Sequence, residues 1–119
     1  MKLSVLLASY NGELYIEKQI QSILEQLMPE EELIVSDDGS SDKTREIVAA
    51  FSDPRVTLIL GARQGINANF KNAYKHASGD GVLFSDQDDL WLPGRAQFYR
   101  DKLESNDFVI CDAEVIDEK

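Results

Sequence analysis

The chain has 119 residues with a hydrophobic share of 43%, which is enough to bury one modest core in a single domain. Acidic residues outnumber basic ones by 22 to 12, and the net charge of −10 disfavours binding to nucleic acid or to anionic membrane surfaces. No stretch approaches the roughly 18 apolar residues of a membrane-spanning helix. One cysteine, Cys111, excludes an internal disulfide and fits a reducing compartment.

Five apolar runs of strand length recur along the chain, at residues 3–8, 33–36, 56–60, 82–84 and 108–111. The runs are continuous rather than alternating, as expected for strands that are buried on both faces. The first run could pass for a short signal peptide, but polar residues 10–13 stand where a small-residue cleavage site is required. We therefore interpret residues 3–8 as the first buried strand.

The first two of four helical patterns follow the first two strands. Their apolar residues recur at helical spacing: Ile16, Ile20, Ile23, Leu24 and Leu27 in the first, then Ile47, Val48 and Phe51 in the second. Pro29 closes the first pattern because proline cannot continue a helix. Ser41 is the predicted N-cap of the second helix.

The third and fourth patterns follow in the same way. Their predicted buried residues are Phe70, Ala73, Tyr74 and Ala77 in the third, then Ala96, Tyr99 and Leu103 in the fourth. Gly79 ends the third helix, and Pro93 stands in the first turn of the fourth. The resulting order βαβαβαβαβ predicts an α/β fold with a mostly parallel sheet and helices on both faces.

Polar clusters follow three of the predicted strands, at residues 9–12, 37–40 and 86–89. Each cluster alone could simply form a turn or a cap, because Asp, Asn, Gly and Ser favour both. In open α/β sheets, however, ligands bind beyond the carboxyl ends of the strands. Three polar clusters at one edge therefore predict a binding site there.

The last cluster, Asp86-Gln87-Asp88-Asp89, carries three carboxylates within four positions. Such carboxylates repel one another unless a cation lies between them, and a turn needs no third carboxylate. Oxygen ligands of this kind suit Mg²⁺ or Mn²⁺, and the usual partner of such an ion is a phosphate. Because the chain is acidic, a phosphate ligand also needs a metal or local basic residues to offset the repulsion.

Other metal and phosphate motifs do not fit. An EF-hand loop starting at Asp86 would require glycine at Trp91 and glutamate at Gln97. Residues 9–14 lack the G-x-G-x-x-G pattern of a nicotinamide-binding Rossmann domain, and the chain has no G-x-x-x-x-G-K-[ST] loop. His76 has no second histidine or cysteine near it in sequence, which makes it a poor zinc ligand.

Two further residues have the chemistry of a nucleoside site. Asp38 could accept a hydrogen bond from a base or a ribose, and Tyr10 could stack on a flat ring. Capping for Asp38 and core packing for Tyr10 are the alternatives. The cations expected nearest this edge are Arg63, Lys71 and Arg95.

Together these segments resemble glycosyltransferase family 2, the inverting enzymes of the GT-A fold. The matching segments are residues 4–12, 20–24, 35–44 and 86–91, in that order. Residues 65–70, Gly79-Asp80 and the Asp-Gln-Asp-Asp form resemble the branch often labelled rhamnosyltransferase. The resemblance implies that residues 1–119 are one domain, the Rossmann-like nucleotide-sugar-binding N-terminal half of a longer enzyme.

The resemblance also implies roles for five residues. The residues expected to bind the nucleotide are Ala8, Tyr10, Asp38 and Asp86. The residue expected to bind the metal ion is Asp88. Asp38 matches the aspartate that hydrogen-bonds a pyrimidine base, and Tyr10 matches the residue that packs against the base. Asp86 lies near the ribose in the family, whereas Asp88 ligates the Mg²⁺ or Mn²⁺ on the diphosphate.

By the same resemblance, the complete enzyme transfers a sugar from a UDP- or dTDP-sugar to a glycan or lipid-linked acceptor in polysaccharide synthesis. The general base lies in the half that this chain lacks, so no catalytic residue is assigned and residues 1–119 are expected to be inactive alone. Where many relatives have Ala-Arg-Asn, this chain has Asn69-Phe70-Lys71. The implied location is cytoplasmic, with the complete enzyme peripheral to the inner face of the membrane. The alternative is a non-catalytic metal- or nucleotide-responsive interaction domain.

Overall fold

The structure is a computed structural model that describes residues 2–86 and 90–105. Its elements in chain order are β1 (Leu3–Ser9), α1 (Ile16–Leu24), β2 (Glu32–Asp37), α2 (Thr44–Ala49), β3 (Val56–Leu60), α3 (Ile66–Tyr74), β4 (Gly81–Asp86) and α4 (Arg95–Ser105). The predicted alternation of strands and helices is confirmed for these eight elements. The fifth predicted strand, with Cys111, lies outside the described residues.

The four strands form one parallel sheet in the order β3-β2-β1-β4. In the register, Ser9 of β1 lies opposite Asp37 of β2, and Ala8 lies opposite Asp86 of β4. The carboxyl ends of β1, β2 and β4 therefore meet at one edge of the sheet, as predicted. No helix among the described residues is long and apolar enough to cross a membrane.

Helices cover both faces of the sheet, which also confirms the prediction. The larger core lies on the face where Leu3, Val5 and Leu7 of β1 meet α1, α2 and α4. The smaller core lies on the opposite face, where Leu6 and Ile34 pack under Ala73 of α3. The alternation along β1 follows from the two-residue period of a strand.

Helix α1 forms because its isoleucines at 16, 20 and 23 share one face, and all three are fully buried. Each contributes about 1.5–3 kcal/mol by burial relative to exposure. At the other end of α1, the Arg55 guanidinium donates to the carbonyl oxygens of Leu24 and Leu27, at 3.1 and 2.8 Å. These bonds give side-chain donors to carbonyl groups at and just beyond the end of the helix.

The predicted N-cap of α2 was wrong. The residue that precedes the helix is Lys43, and the Asp42 carboxylate accepts hydrogen bonds from the N–H and hydroxyl of Thr44. The N–H of Ser41 instead donates to the Asn11 side chain. A carboxylate competes better than a hydroxyl for the N–H groups at a helix start because it is charged.

Helices α3 and α4 also differ in detail from the prediction. Tyr74 was predicted to be buried but is 59% exposed, and the polar Asn69 is buried instead. The reason is a tertiary pair, because Asn69 accepts from the Ser36 hydroxyl and donates to the Ser36 carbonyl. Helix α4 begins at Arg95, two residues after Pro93.

Helix α4 is held by polar contacts as well as by the larger core. The Arg100 guanidinium forms a buried ion pair with Glu31, with Nε–Oε2 and Nη2–Oε1 distances of 2.9 and 2.5 Å. Glu31 also accepts from the backbone N–H groups of Leu3 and Met28. Burial alone would raise the pKa of Glu31, but these hydrogen bonds and the Arg100 charge outweigh burial and hold it below its ordinary value.

Candidate functional site

Two loops at the carboxyl edge of the sheet, β1–α1 and β2–α2, are joined by hydrogen bonds. The donor–acceptor pairs are Asn11 N–Ser40 Oγ (2.8 Å), Gly12 N–Thr44 Oγ1 (2.8 Å), Glu13 N–Asp42 Oδ2 (3.2 Å), Ser41 N–Asn11 Oδ1 (2.8 Å) and Lys43 N–Glu13 Oε1 (2.9 Å). Because the bonds run in both directions, the position of Tyr10 is fixed relative to the turn that carries Asp38.

The buried side chain of Asp37 holds that turn through hydrogen bonds. Its side chain is fully buried and accepts hydrogen bonds from the hydroxyls of Ser9 and Ser40 at 2.8 and 2.6 Å. It also accepts from the backbone N–H groups of Gly39 and Ser40, at 3.1 and 2.8 Å. Asp37 therefore shapes the end of β2 and is not exposed to a ligand.

Asp38, one residue later, lies at the surface of this edge. It lines a pocket of about 190 Å³ together with Tyr10, Gly39 and Arg63. Its Oδ1 accepts a hydrogen bond from the Arg63 backbone N–H at 2.7 Å. Its Oδ2 has no hydrogen-bond partner among the described residues. The pocket thus combines a carboxylate acceptor with an aromatic ring that can stack on a flat ligand.

Tyr10 is 55% exposed, so it does not pack in the core. Gly39 has a φ of +88°, and a Cβ atom there would lie 2.3 Å from the Nε of Arg63. Glycine is therefore needed both for the backbone conformation and for the close approach of the guanidinium. A side chain at residue 39 would displace Arg63 from the wall of the pocket.

The other predicted site residues differ in how far the structure describes them. Ala8 is buried in β1 between Ser36 and Asp86 and does not line the described pocket. Asp86 ends β4 at the predicted edge, but its side chain lies outside the described residues, as does all of Asp88. The roles of these three residues stay predictions.

Within residues 2–86 and 90–105, no group of three His, Cys, Asp or Glu side chains could hold a metal ion. The donor set that suits Mg²⁺ or Mn²⁺ is the carboxylate cluster that starts at Asp86, at the end of β4 and beside the end of β1. The prediction of a divalent ion therefore rests on sequence chemistry and on the position of this strand end.

Trp91 anchors the chain just after the acidic cluster. It is buried, its indole N–H donates to the Ser85 hydroxyl at 3.1 Å, and its backbone N–H donates to Ser22 of α1 at 3.0 Å. The Gln19 side chain donates to the same Ser85 hydroxyl at 3.0 Å. Ser85 and Trp91, which flank residues 86–90, are thus held against α1.

Of the three cations predicted near this edge, Arg63 shares the pocket with Asp38. Lys71 lines a separate groove of about 350 Å³ with Phe70, Tyr74 and two other residues of α3 and β4. The Arg95 guanidinium lies 5.3 Å from the centre of the Trp91 ring. The sequence alone gave no roles for Arg63, Asp37 or Trp91. The bonds Arg63–Asp38, Ser9–Asp37 and Trp91–Ser22 join segments that are distant in sequence.

Known proteins resemble this chain in sequence and in fold. Residues 4–119 match the family model described as Glycosyl transferase family 2. The chain is 40% identical over 95 residues to UDP-Glc:alpha-D-GlcNAc-diphosphoundecaprenol beta-1,3-glucosyltransferase WfgD of Escherichia coli, covering 79% of this chain and 38% of that protein. It is 36% identical over 107 residues to dTDP-rhamnosyl transferase RfbG of Shigella flexneri, covering 83% of this chain and 35% of that protein.

Solved structures of glycosyltransferases have a similar fold. Glucosyl-3-phosphoglycerate synthase of Mycobacterium tuberculosis, in complex with Mn²⁺, UDP and glucosyl-3-phosphoglycerate, superposes with a TM-score of 0.63 at 29% identity. The match covers 72% of this chain and 33% of that protein. The chain spans about a third of the length of the curated relatives it matches. Its Rossmann-like sheet is that of the GT-A fold, and the chain belongs to glycosyl transferase family 2.

Proposed function

We propose that this chain binds the nucleotide of a sugar donor as part of an inverting, metal-dependent glycosyltransferase. The observation that carries the proposal is the pocket at the carboxyl edge of the sheet, where Asp38 and Tyr10 lie beside each other. Within it, the Oδ2 of Asp38, which no described residue contacts by a hydrogen bond, accepts the N–H of a base, and the exposed ring of Tyr10 packs against the base plane. The family match supports these roles.

The diphosphate is placed towards the end of β4. Asp86 ends β4 beside Ala8 of β1, so the nucleoside pocket and the start of the acidic cluster lie at the same edge. Asp86 lies near the ribose and Asp88 is the ligand of Mg²⁺ or Mn²⁺. A divalent ion held there would neutralise the charge of the departing nucleoside diphosphate. The Mn²⁺ and UDP bound to the mycobacterial synthase support this assignment.

The donor is a UDP-sugar or a dTDP-sugar. A glucosyltransferase named for UDP-Glc and a rhamnosyltransferase named for dTDP are both among the relatives, which supports this pair of donors and the rhamnosyltransferase prediction. The acceptor is a glycan or a lipid-linked sugar, in line with the diphosphoundecaprenol named for WfgD. Such an acceptor favours a cytoplasmic enzyme that is peripheral to the inner face of the membrane.

Residues 1–119, the predicted N-terminal domain, do not transfer sugar alone under this proposal. Inversion requires a base within hydrogen-bond reach of the acceptor hydroxyl, and the two described carboxylates of the turn after β2 already have other roles under this proposal. Asp37 is buried in its turn, and Asp38 binds the base. The catalytic base therefore comes from a further part of the enzyme.

Titration calorimetry of the complete enzyme that contains residues 1–119, with UDP and dTDP and each with and without Mn²⁺, tests this function. We expect binding of at least one of the two, strengthened by Mn²⁺. Absence of binding by every nucleoside diphosphate in the presence of Mn²⁺ would refute the proposal. Binding by a complete polypeptide that transfers no sugar would instead favour the non-catalytic interaction domain.

A further inference from the structure

Helix α1 carries a row of polar side chains beside its buried isoleucines. The row consists of Gln19, Ser22 and, just after the helix, Gln26, which are spaced so that they follow one side of a helix. All three side chains form hydrogen bonds with residues on either side of the acidic cluster, at 85 and at 91–96. We call these three residues the polar row of α1.

The first member of the row holds the end of β4. The side chain of Gln19 is fully buried, and its Nε2 donates to the hydroxyl of Ser85 at 3.0 Å. The indole N–H of Trp91 donates to the same oxygen at 3.1 Å. Burying an amide is unfavourable unless it forms hydrogen bonds, and such bonds depend on direction as well as distance. Gln19 therefore fixes Ser85 and Trp91 relative to each other and to α1.

The other two members hold the chain after the acidic cluster. The Ser22 hydroxyl donates to a carbonyl of its own helix at 2.7 Å and accepts from the Trp91 backbone N–H at 3.0 Å. The Gln26 amide forms bonds in both directions, since its Nε2 donates to the Leu92 carbonyl at 2.7 Å and its Oε1 accepts from the Ala96 N–H at 2.8 Å. The chain on both sides of residues 86–90 is thus tied to α1.

This arrangement bears on metal binding. An ion binds more tightly when the supports of its ligands are already fixed, because less ordering remains to be done on binding. We propose that the polar row of α1 consists of positioning residues for the divalent ion, which act through Ser85 and Trp91 on the segment that carries Asp88. The inference rests on the proposed function, because it takes Asp88 as the metal ligand.

The test is calorimetry of the complete enzyme that contains residues 1–119, with UDP and dTDP and each with and without Mn²⁺. The ratio of the two affinities for one nucleotide measures what the ion contributes. Gln19→Met removes the amide and keeps the length of the side chain. Gln21→Met is the matched control, because it makes the same change two residues later at an exposed position of α1. Gln26→Met, at a half-buried position, tests the other end and remains informative if Gln19→Met does not fold.

We expect Gln19→Met and Gln26→Met each to lower the Mn²⁺ enhancement about fivefold, the scale of one net hydrogen bond. Affinity without Mn²⁺ should stay unchanged in both, and Gln21→Met should alter neither quantity. A row that only supports the fold would lower stability without changing the enhancement. An unchanged enhancement in either variant that folds, or an equal loss with and without Mn²⁺, would therefore overturn this inference alone. Absence of any Mn²⁺ enhancement in the unaltered enzyme would instead overturn the metal dependence in the proposed function.

Discussion

Asp37 and Asp38 are neighbours in sequence, yet their carboxylates lie in opposite environments. The Asp37 carboxylate is fully buried and accepts four hydrogen bonds from Ser9 and from its own turn. The Asp38 carboxylate lines the pocket, and one of its oxygens accepts a hydrogen bond from the Arg63 N–H. Such a division of roles predicts that the two residues respond differently to the same substitution.

Asp37→Ala should lower the free energy of unfolding by about 2–4 kcal/mol, because it leaves several buried donors without an acceptor. Asp38→Ala should lower it by less than about 1 kcal/mol, since this side chain is partly exposed. Urea denaturation of the two variants and the unaltered protein measures both changes. Equal losses of stability in the two variants would show that Asp38 also supports the fold.

Asp38→Ala and Asp88→Asn should separate nucleoside binding from metal binding. Asp38→Ala should weaken UDP or dTDP binding by about tenfold or more while the remaining affinity still rises with Mn²⁺. Asp88→Asn keeps the size of the side chain but removes its charge, so nucleotide affinity should no longer respond to Mn²⁺. Calorimetry with and without Mn²⁺ measures both effects. Normal stimulation by Mn²⁺ in Asp88→Asn would refute the assignment of that residue.

Acid should destabilise the protein partly through Glu31. Its pKa in the folded protein lies below the ordinary value of 4.5, because hydrogen bonds and the Arg100 charge outweigh burial. The unfolded chain therefore binds a proton first, and the stabilisation present above about pH 4.5 is lost as pH falls through the folded pKa. Thermal unfolding measured from pH 7 to pH 3 should show this decline.

The matched variants for that measurement are Glu31→Gln and the neighbouring exposed Glu30→Gln. Glu31→Gln should cost about 3 kcal/mol at pH 7, because it leaves the Arg100 charge buried without a partner, and it should flatten the acid side of the profile. Glu30→Gln should change the stability and the acid profile much less, because Glu30 is exposed and acts on Arg100 only through Coulomb attraction. The slope should flatten without vanishing, because Glu32 and Asp53 also have lowered pKa values. An acid profile that Glu31→Gln leaves unaltered would contradict the linkage.

Trp91→Phe should lower the free energy of unfolding by about 1–2 kcal/mol, because phenylalanine fills less volume and cannot donate to Ser85. Leu92→Ala is the control, since Leu92 is 73% exposed and its loss should cost less than about 0.5 kcal/mol. Chemical denaturation compares the two. If both variants matched the unaltered protein, Trp91 would not anchor the end of this segment.

The elements and their order could be predicted because periodicity is a local property of sequence. The isoleucines of α1 and the continuous apolar runs of the strands identify the sheet and the larger core without any tertiary information. The edge that carries the site could be predicted as well, since parallel strands place their carboxyl ends together. Asp38 and Tyr10 were assigned to that edge correctly, and the structure brings them into one pocket.

Two features that could not be predicted, the burial pattern of α3 and the contact of Arg63 with Asp38, depend on contacts between distant segments. Asn69 is buried because Ser36, 33 positions earlier, supplies both partners of its amide, whereas Tyr74, predicted to be buried, is exposed. Arg63 enters the pocket because Asp38 accepts its backbone N–H. Neither relationship leaves a periodic or compositional signal in the sequence, because hydrogen bonding between loops depends on where the fold places them.

The hydrogen bonds between the β1–α1 and β2–α2 loops have a thermodynamic consequence for ligand binding. Ordering a mobile loop around a ligand costs conformational entropy, which subtracts from affinity. Here Asn11, Glu13 and Ser40 have already fixed the two loops to each other within the protein. Under the proposed function, a nucleotide would bind to a pocket whose wall is already ordered, so more of its interaction energy would remain to discriminate one ligand from another.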